Sequence, residues 1–204
     1  MTQERTIAEG LLSIGAVFLR PDKPFTWASG IQSPMYCDNR LVLSAPAVRE
    51  TVEQALAELI AREYPGTEML MGTSTAGIAH AALAAALLHL PMGYVRSSAK
   101  DHGRANRIEG RLEPGTRVVV VEDLISTGGS AIETVEALRE AGAQVLGIAS
   151  LFTYGIRRGE QRIAAAGTVN HSLCRLDTLV QVAAEQGYIA EAQKAQILAF
   201  RDAL

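Results

Sequence analysis

Four consecutive valines, Val118 to Val121, run directly into Glu122 and Asp123 and then into the hydroxyl- and glycine-rich turn STGGS at Ser126–Ser130. An unbroken β-branched stretch packs on both of its faces, so it predicts an interior strand of a mainly parallel sheet covered by helices. Ligands of such sheets collect at the carboxyl ends of the strands. At that end Glu122 and Asp123 can accept hydrogen bonds from vicinal hydroxyls, while Thr127, Gly128, Gly129 and Ser130 offer amides and hydroxyls to a phosphate. Ser130 to Ala141 reads as a helix, whose aligned peptide dipoles favour an anion at its first turn by about 0.3–1 kcal/mol. Diol acceptors beside an anion nest point to a ribose phosphate. The same residues also fit a plain strand-to-helix turn in which Asp123 or Ser126 caps the helix, and the run alone does not separate the two.

A chain of 204 residues suits one α/β domain with room for an appendage. A net charge of -3 gives no whole-protein attraction for nucleic acid or an anionic membrane, so any anion binding has to be local. Cys37 and Cys174 lack paired spacing, which signals neither a disulfide framework nor a zinc site, and a reducing cytoplasm is expected. The charged N-terminus MTQERTIAEG has no long apolar region. The longest apolar stretch, Ala81–Leu90, is interrupted by His89 and too short to span a bilayer, so no secretory signal or membrane partner is expected.

Along the chain, helical spacing over Gln3–Ser13 precedes a strand-like Ala16–Leu19. The segment Pro24–Arg40, dense in Pro, Gly, Ser and aromatics, predicts turns and short strands. In the helix that follows, Ser44 is placed to cap, Pro46 is tolerated in the first turn, and Val48, Val52, Leu56 and Leu59 share a face until Pro65. Strand-to-helix units then succeed one another. Strand Glu68–Met71 leads through GTSTAG, Gly72–Gly77, into an alanine-rich helix; strand Met92–Arg96 leads into a polar loop; the valine strand carries the run already described. Gln144–Leu151 and Gly167–Leu176 read as further strands, and Asp177–Leu204 as helical.

Three of these segments can carry chemistry. The small residues of GTSTAG let backbone amides approach a phosphate, although Ile78 and Ala79 stand where a Walker motif needs Lys and Ser/Thr; a tight turn for close helix-to-sheet packing explains the segment equally well. From Ser97 to Thr116 the chain is polar and basic, with Lys100, His102, Arg104, Arg107 and Arg111, and with Gly103 and Gly110 as hinges. Such a loop either closes over a polyphosphate or is a solvated surface. Among the histidines, His102 keeps functional company, whereas His80, His89 and His171 are expected to be structural. Phe25, Trp27 and Tyr36 either stack on a flat ring or cover a sheet edge.

FTWASGIQSPMYCDNR, GTSTAGIAHA, YVRSSAKDHGRANRIEG and VVVVEDLISTGGS stand in the order seen in orotate phosphoribosyltransferases. From Phe25 to Ser130 the chain resembles that family, within the broader type I phosphoribosyltransferases. The resemblance implies an α/β fold: a mainly parallel sheet flanked by helices in a single domain, whose core is residues 41–166 and whose small hood comes from 1–40 and 167–204. It implies transfer of the phosphoribosyl group from 5-phosphoribosyl 1-pyrophosphate (PRPP) to orotate, giving orotidine 5′-monophosphate and pyrophosphate in UMP biosynthesis. Lys100, His102 and Asp123 would be catalytic. PRPP would lie along Glu122, Asp123, Leu124, Ile125, Ser126, Thr127, Gly128, Gly129 and Ser130, with Thr75 and Ala76 facing its pyrophosphate and Arg96, Lys100 and His102 neutralising it. Glu122 and Asp123 would hold the ribose hydroxyls and Ser126 to Ser130 the 5′-phosphate, with orotate near Tyr36 and Ser126. Mg²⁺ is expected on PRPP oxygens near Glu122 and Asp123 more than in a cage of side chains. A homodimer is implied, its basic loop reaching into the partner's site.

Where many members carry lysine this chain has Ala28, Ala76 and Ser97, which shifts pyrophosphate neutralisation onto Arg96, Lys100, His102 and Arg104. A C-terminal arginine contact to orotate falls on Arg157 or Arg158. A purine phosphoribosyltransferase and a ligand-sensing regulator on the same fold are the rival readings. The second lacks an added helix-turn-helix pattern or a strongly basic face.

Overall fold

The structure is a computed structural model and describes residues 2–26, 32–97 and 107–204. Trp27, Ala28, Lys100, His102, Gly103 and Arg104, singled out above, lie outside the described residues. The chain begins with helix α1 (Gln3–Ser13), followed by short antiparallel pairs: β1 (Val17–Leu19) with β4 (Met35–Cys37), and β2 (Phe25–Thr26) with β3 (Gln32–Ser33). A 3₁₀ helix, Asn39–Ser44, leads to α2 (Pro46–Glu63). Next come β5 (Met69–Thr73), α3 (Ala76–Leu88), β6 (Met92–Val95), β7 (Ile108–Glu109), β8 (Arg117–Ile125) and α4 (Gly129–Glu140). The chain ends with β9 (Gln144–Thr153), α5 (Arg157–Ala165), β10 (Asn170–Arg175), α6 (Leu176–Glu185) and α7 (Glu191–Asp202).

Six strands form the central sheet in the order β10-β9-β8-β5-β6-β7, parallel throughout except for the β6–β7 pair. The valine run is its interior strand, and all four valines are fully buried. Side chains alternate across a strand, so Val119 and Val121 enter an apolar cluster with α1, α2 and α6, while Val118 and Val120 enter another with α4. The first cluster joins the two ends of the chain. Ile7, Ala8 and Leu11 of α1 meet Leu176, Leu179 and Val180 of α6 in the same cluster as Leu70, Val119 and Leu151 of the sheet.

Several boundaries differ from those read in the sequence. Ser44 closes the 3₁₀ helix instead of capping α2; Ala45 stands at that N-cap without a side-chain bond, and Pro46 at the first position has no N–H to satisfy. Strand β8 runs on through Ile125, so both carboxylates lie inside the strand. Ile108 and Glu109 pair with β6, which shortens the polar loop. Residues 177–204 form two helices, broken where Gly187 takes φ +77. Helix α5 went unread because its sequence RRGEQRIAA buries only Gly159 and Ile163, too few positions for a visible apolar period.

The histidines and cysteines sit as expected. His80 is fully buried with Nδ1 2.6 Å from Glu53 Oε1, His89 takes the left-handed C-cap of α3, and His171 packs edge-on to Tyr64. Cys37 and Cys174 are free and buried. Among the described residues no helix is long and apolar enough to cross a membrane. Because α1 packs into the cluster that carries the sheet, Leu11→Ala is expected to cost about 2–5 kcal/mol of global stability, measured by denaturant unfolding.

Candidate active site

A cleft of about 350 Å³ opens at the carboxyl ends of β5 and β8, where Cys37, Asp38 and Arg40 face Thr75, Ala76 and Asp123. It brings together three of the residues read from the sequence: Asp123, Thr75 and Ala76. A second cavity of about 360 Å³, between α5 and β10, shares no residue with the first and takes only Ile125 from the predicted set. Its arginine, Arg175, is paired with Glu160 at 3.1 Å, whereas the first cleft gathers more of the residues read as the site.

Consecutive strand positions point to opposite faces, and this divides the acidic pair. Glu122 turns inward. Thr73 Oγ1 donates to its Oε1 at 2.6 Å, the Asp123 N–H donates to the same oxygen at 3.1 Å, and Ser130 Oγ donates to Oε2 at 2.8 Å. Burial, then the neighbouring Asp123 charge, pushes the Glu122 carboxyl up to about 7. Asp123 is half-buried and lines the cleft.

The segment GTSTAG is divided in the same way between packing and site. A Cβ on Gly77 would lie 2.4 Å from both Thr73 Oγ1 and the Val121 carbonyl, and one on Gly72 would lie 2.8 Å from Ile78 Cα, so these glycines let α3 sit tightly on the sheet. Thr75 and Ala76, between them in sequence, face the cleft.

After β8 the chain turns at Gly128, which takes φ +73 as the N-cap of α4 with no side-chain cap. Neither Asp123 nor Ser126 caps the helix, so no side chain takes the first-turn amides from an incoming anion. Leu124 and Ile125 pack into the two apolar clusters, and both pair with β9. The Ile125 carbonyl accepts from the Tyr154 N–H at 3.0 Å. Helix α5 braces the turn. Arg162 Nη1 donates to the Thr127 carbonyl at 3.2 Å, and a Cβ on Gly159 would lie 2.4 Å from the Ser126 carbonyl. Arg157 and Arg158 open that helix.

Arg96 follows β6 with Nη1 buried and 3.9 Å from Glu109 Oε1, without a hydrogen-bond partner among the described residues. Tyr36 lies on the other face of β4 from Cys37, so it does not line the cleft; its ring centroid is 5.8 Å from Phe25 and 6.4 Å from Phe18. The guanidinium of Arg20 stands 5.2 Å from the Phe25 ring centroid. Cys37, Asp38 and Arg40 were missed as lining residues. They stand in the CDNR segment already quoted, but no periodicity in so short a strand tells which of them face inward. Oxygen donors from Asp38 and Asp123 suit a hard divalent cation, and among the described residues no group of three or more His, Cys, Asp or Glu could hold one alone.

A parallel sheet with an acidic pair at one strand end and a glycine turn feeding a helix N-terminus defines a phosphoribosyltransferase type of site. Residues 42–177 match the phosphoribosyl transferase domain family. The chain is 56% identical over 198 residues to an orotate phosphoribosyltransferase of Bacillus cytotoxicus, covering 97% of this chain and 94% of that protein. Among solved structures it is similar to orotate phosphoribosyltransferase from Aeropyrum pernix, with TM-score 0.78 and 31% identity over 90% of this chain and 99% of that one. It is also similar to Leishmania donovani UMP synthase, with TM-score 0.85, 27% identity and 98% of this chain covered, while spanning 42% of that longer protein. The chain belongs to the orotate phosphoribosyltransferase family.

The raised Glu122 carboxyl has a consequence for stability. Between the unfolded value of 4.5 and the folded value of about 7 the folded protein binds the extra proton, so stability falls as pH rises through that window. Glu122→Gln is expected to remove this slope, which amounts to at most about 1.4 kcal/mol per pH unit. Denaturant unfolding of both proteins from pH 4.5 to pH 7 measures it.

Proposed function

We infer that this chain is a glycosyltransferase that moves the phosphoribosyl group of PRPP onto orotate, giving orotidine 5′-monophosphate and pyrophosphate in pyrimidine biosynthesis. The observation that carries the reading is the cleft in which Asp123 faces Thr75 and Ala76 across the ends of β8 and β5, one turn from an uncapped helix N-terminus. The 5′-phosphate takes the amides of Ser126 to Ser130 and the hydroxyls of Ser126 and Thr127. The ribose hydroxyls donate to Asp123, and Glu122 supports them from behind by holding Thr73 and Ser130 in one hydrogen-bonded group.

Breaking the bond from ribose to pyrophosphate leaves positive charge on the sugar and negative charge on the leaving group. Preorganised charges of the opposite sign therefore carry most of the catalysis. Asp123 favours the sugar cation, and Arg96, Lys100 and His102 draw off the pyrophosphate, to which Thr75 and Ala76 present the turn. Asp38 and Asp123 would hold Mg²⁺ together with oxygens of PRPP, and the ion would supply further neutralisation of phosphate charge. Orotate enters from the hood side, near Tyr36 and Ser126. One domain suffices for this, a core of 41–166 with a hood of 1–40 and 167–204, supported by the apolar cluster that joins both ends of the chain to the sheet. Two buried free thiols suit the cytoplasm, where the pathway's substrates are made.

The reading includes a homodimer, which α3 supports. Its sequence AGIAHAALAAALL carries no Asp, Glu, Lys or Arg, yet Leu83 is 36% and Leu87 46% exposed, alongside exposed Ala82 and Ala86. A helix apolar on all sides is normally covered, and a second copy of the chain covers this one.

Orotate consumption in the presence of PRPP and Mg²⁺, competed against adenine, guanine and xanthine, tests the reaction; no turnover of orotate sinks it. Lys100→Ala and Asp123→Asn are each expected to lower turnover greatly while leaving a measurable residue. Mixed and allowed to exchange subunits, they should recover about a quarter of wild-type turnover if the loop acts in the partner's site, because half the dimers are hybrids with one intact site. Leu87→Glu is expected to shift the sedimenting species from dimer to monomer.

A further inference from the structure

Asp123 stands where the sheet gives out on one side. Pairing of β8 with β5 ends at Gly72–Val121, whereas pairing with β9 continues to Ile125–Thr153. The carbonyl of Asp123 lies beyond the shorter ladder, and its donor comes from the hood. Asn39 Nδ2 donates to it at 2.6 Å, across 84 residues of sequence. The other end of the same amide is occupied as well, since Cys37 Sγ donates to Asn39 Oδ1 at 3.1 Å. With a thiol on one side and a carbonyl on the other, the amide has one workable orientation. Asn39 is 1% exposed, so the bond is shielded from water, and a buried carbonyl deprived of its donor is costly. Asp38 fixes the residue's backbone by accepting from the Arg40 N–H at the start of the 3₁₀ helix.

We propose that Asn39 is a positioning residue for phosphoribosyl transfer. It locks the main chain of Asp123 to the start of the 3₁₀ helix that follows β4, so that the carboxylate facing the ribose and the hood that receives the base keep one fixed separation. This rests on Asp123 being the ribose acceptor. A misplacement of about 1 Å at a reacting centre costs on the order of 100-fold in rate, which is why a bond through the backbone of Asp123 matters to turnover.

The test is a double-mutant cycle. Asn39→Leu keeps the volume and removes the donor, and it is expected to lower kcat by about 10- to 100-fold, the scale typical of residues that orient a functional group. In the Asp123→Asn background, read on its residual turnover at high enzyme concentration, the same change should cost nothing further, because the carboxylate that the bond positions is already gone. Multiplying losses in the double variant, or an unchanged kcat for Asn39→Leu, overturn the proposal while leaving the assigned reaction intact. Full activity of Asp123→Asn alone instead refutes the role of Asp123. Should Asn39→Leu not fold by circular dichroism, Asn39→Ser replaces it in the same cycle with the same expectations.

Discussion

The site depends on one mismatch in strand length. Strand β8 is nine residues long and keeps its pairing with β9 to the end, while β5 stops pairing at Val121. Beyond that point β8 has a neighbour on one side only. The last residues of the strand keep extended geometry, with alternating side chains, but their backbone on the β5 side becomes available to other groups. Glu122 is thereby sent inward and Asp123 toward the cleft, and the Asp123 carbonyl is taken by the hood. A β8 that ended at Val121 would leave both carboxylates in a turn with no fixed direction.

Close packing and the lining of the cleft share the GTSTAG segment without competing. Gly72 and Gly77 are fixed by contacts that a Cβ would violate, while Thr75 and Ala76, exposed and half-buried respectively, face the cleft. The two readings of the segment therefore fall on different residues. The phosphate turn shows the same economy, because Gly128 supplies the left-handed conformation that starts α4 and Gly159 supplies the space that lets α5 approach Ser126.

The valine run made the central strand and its parallel neighbours legible, since burial on both faces leaves an unbroken apolar signature. Gln3–Ser13 was legible to the residue because its apolar spacing is regular and Thr2 caps it. What escaped was structure whose stabilising contacts are remote. Helix α5 is polar apart from Gly159 and Ile163, and it is held against the phosphate turn by Arg162. Asn39 looked like any polar residue of a turn, and only the approach of the 3₁₀ helix to β8 gives its amide a second partner beside Cys37. The direction of the acidic pair was likewise invisible, because it depends on where pairing stops and not on which residues are present.

Charge in the cleft divides between a fixed part and a supplied part. Its described walls carry two carboxylates, Asp38 and Asp123, against one guanidinium, and that guanidinium is already held by Asp38 through bonds of 2.6 and 2.8 Å. Walls of this kind suit a sugar that becomes cationic, yet they repel a pyrophosphate. The alanine at position 76 adds nothing to offset that. On the proposed reaction, the cations that receive the leaving group come from outside the cleft's described lining, from Arg96, whose buried Nη1 has only the 3.9 Å ion pair with Glu109, and from the basic segment that follows it in sequence. Separating the two signs of charge in this way keeps the carboxylate that favours the sugar cation from being neutralised by permanent basic neighbours before the donor arrives.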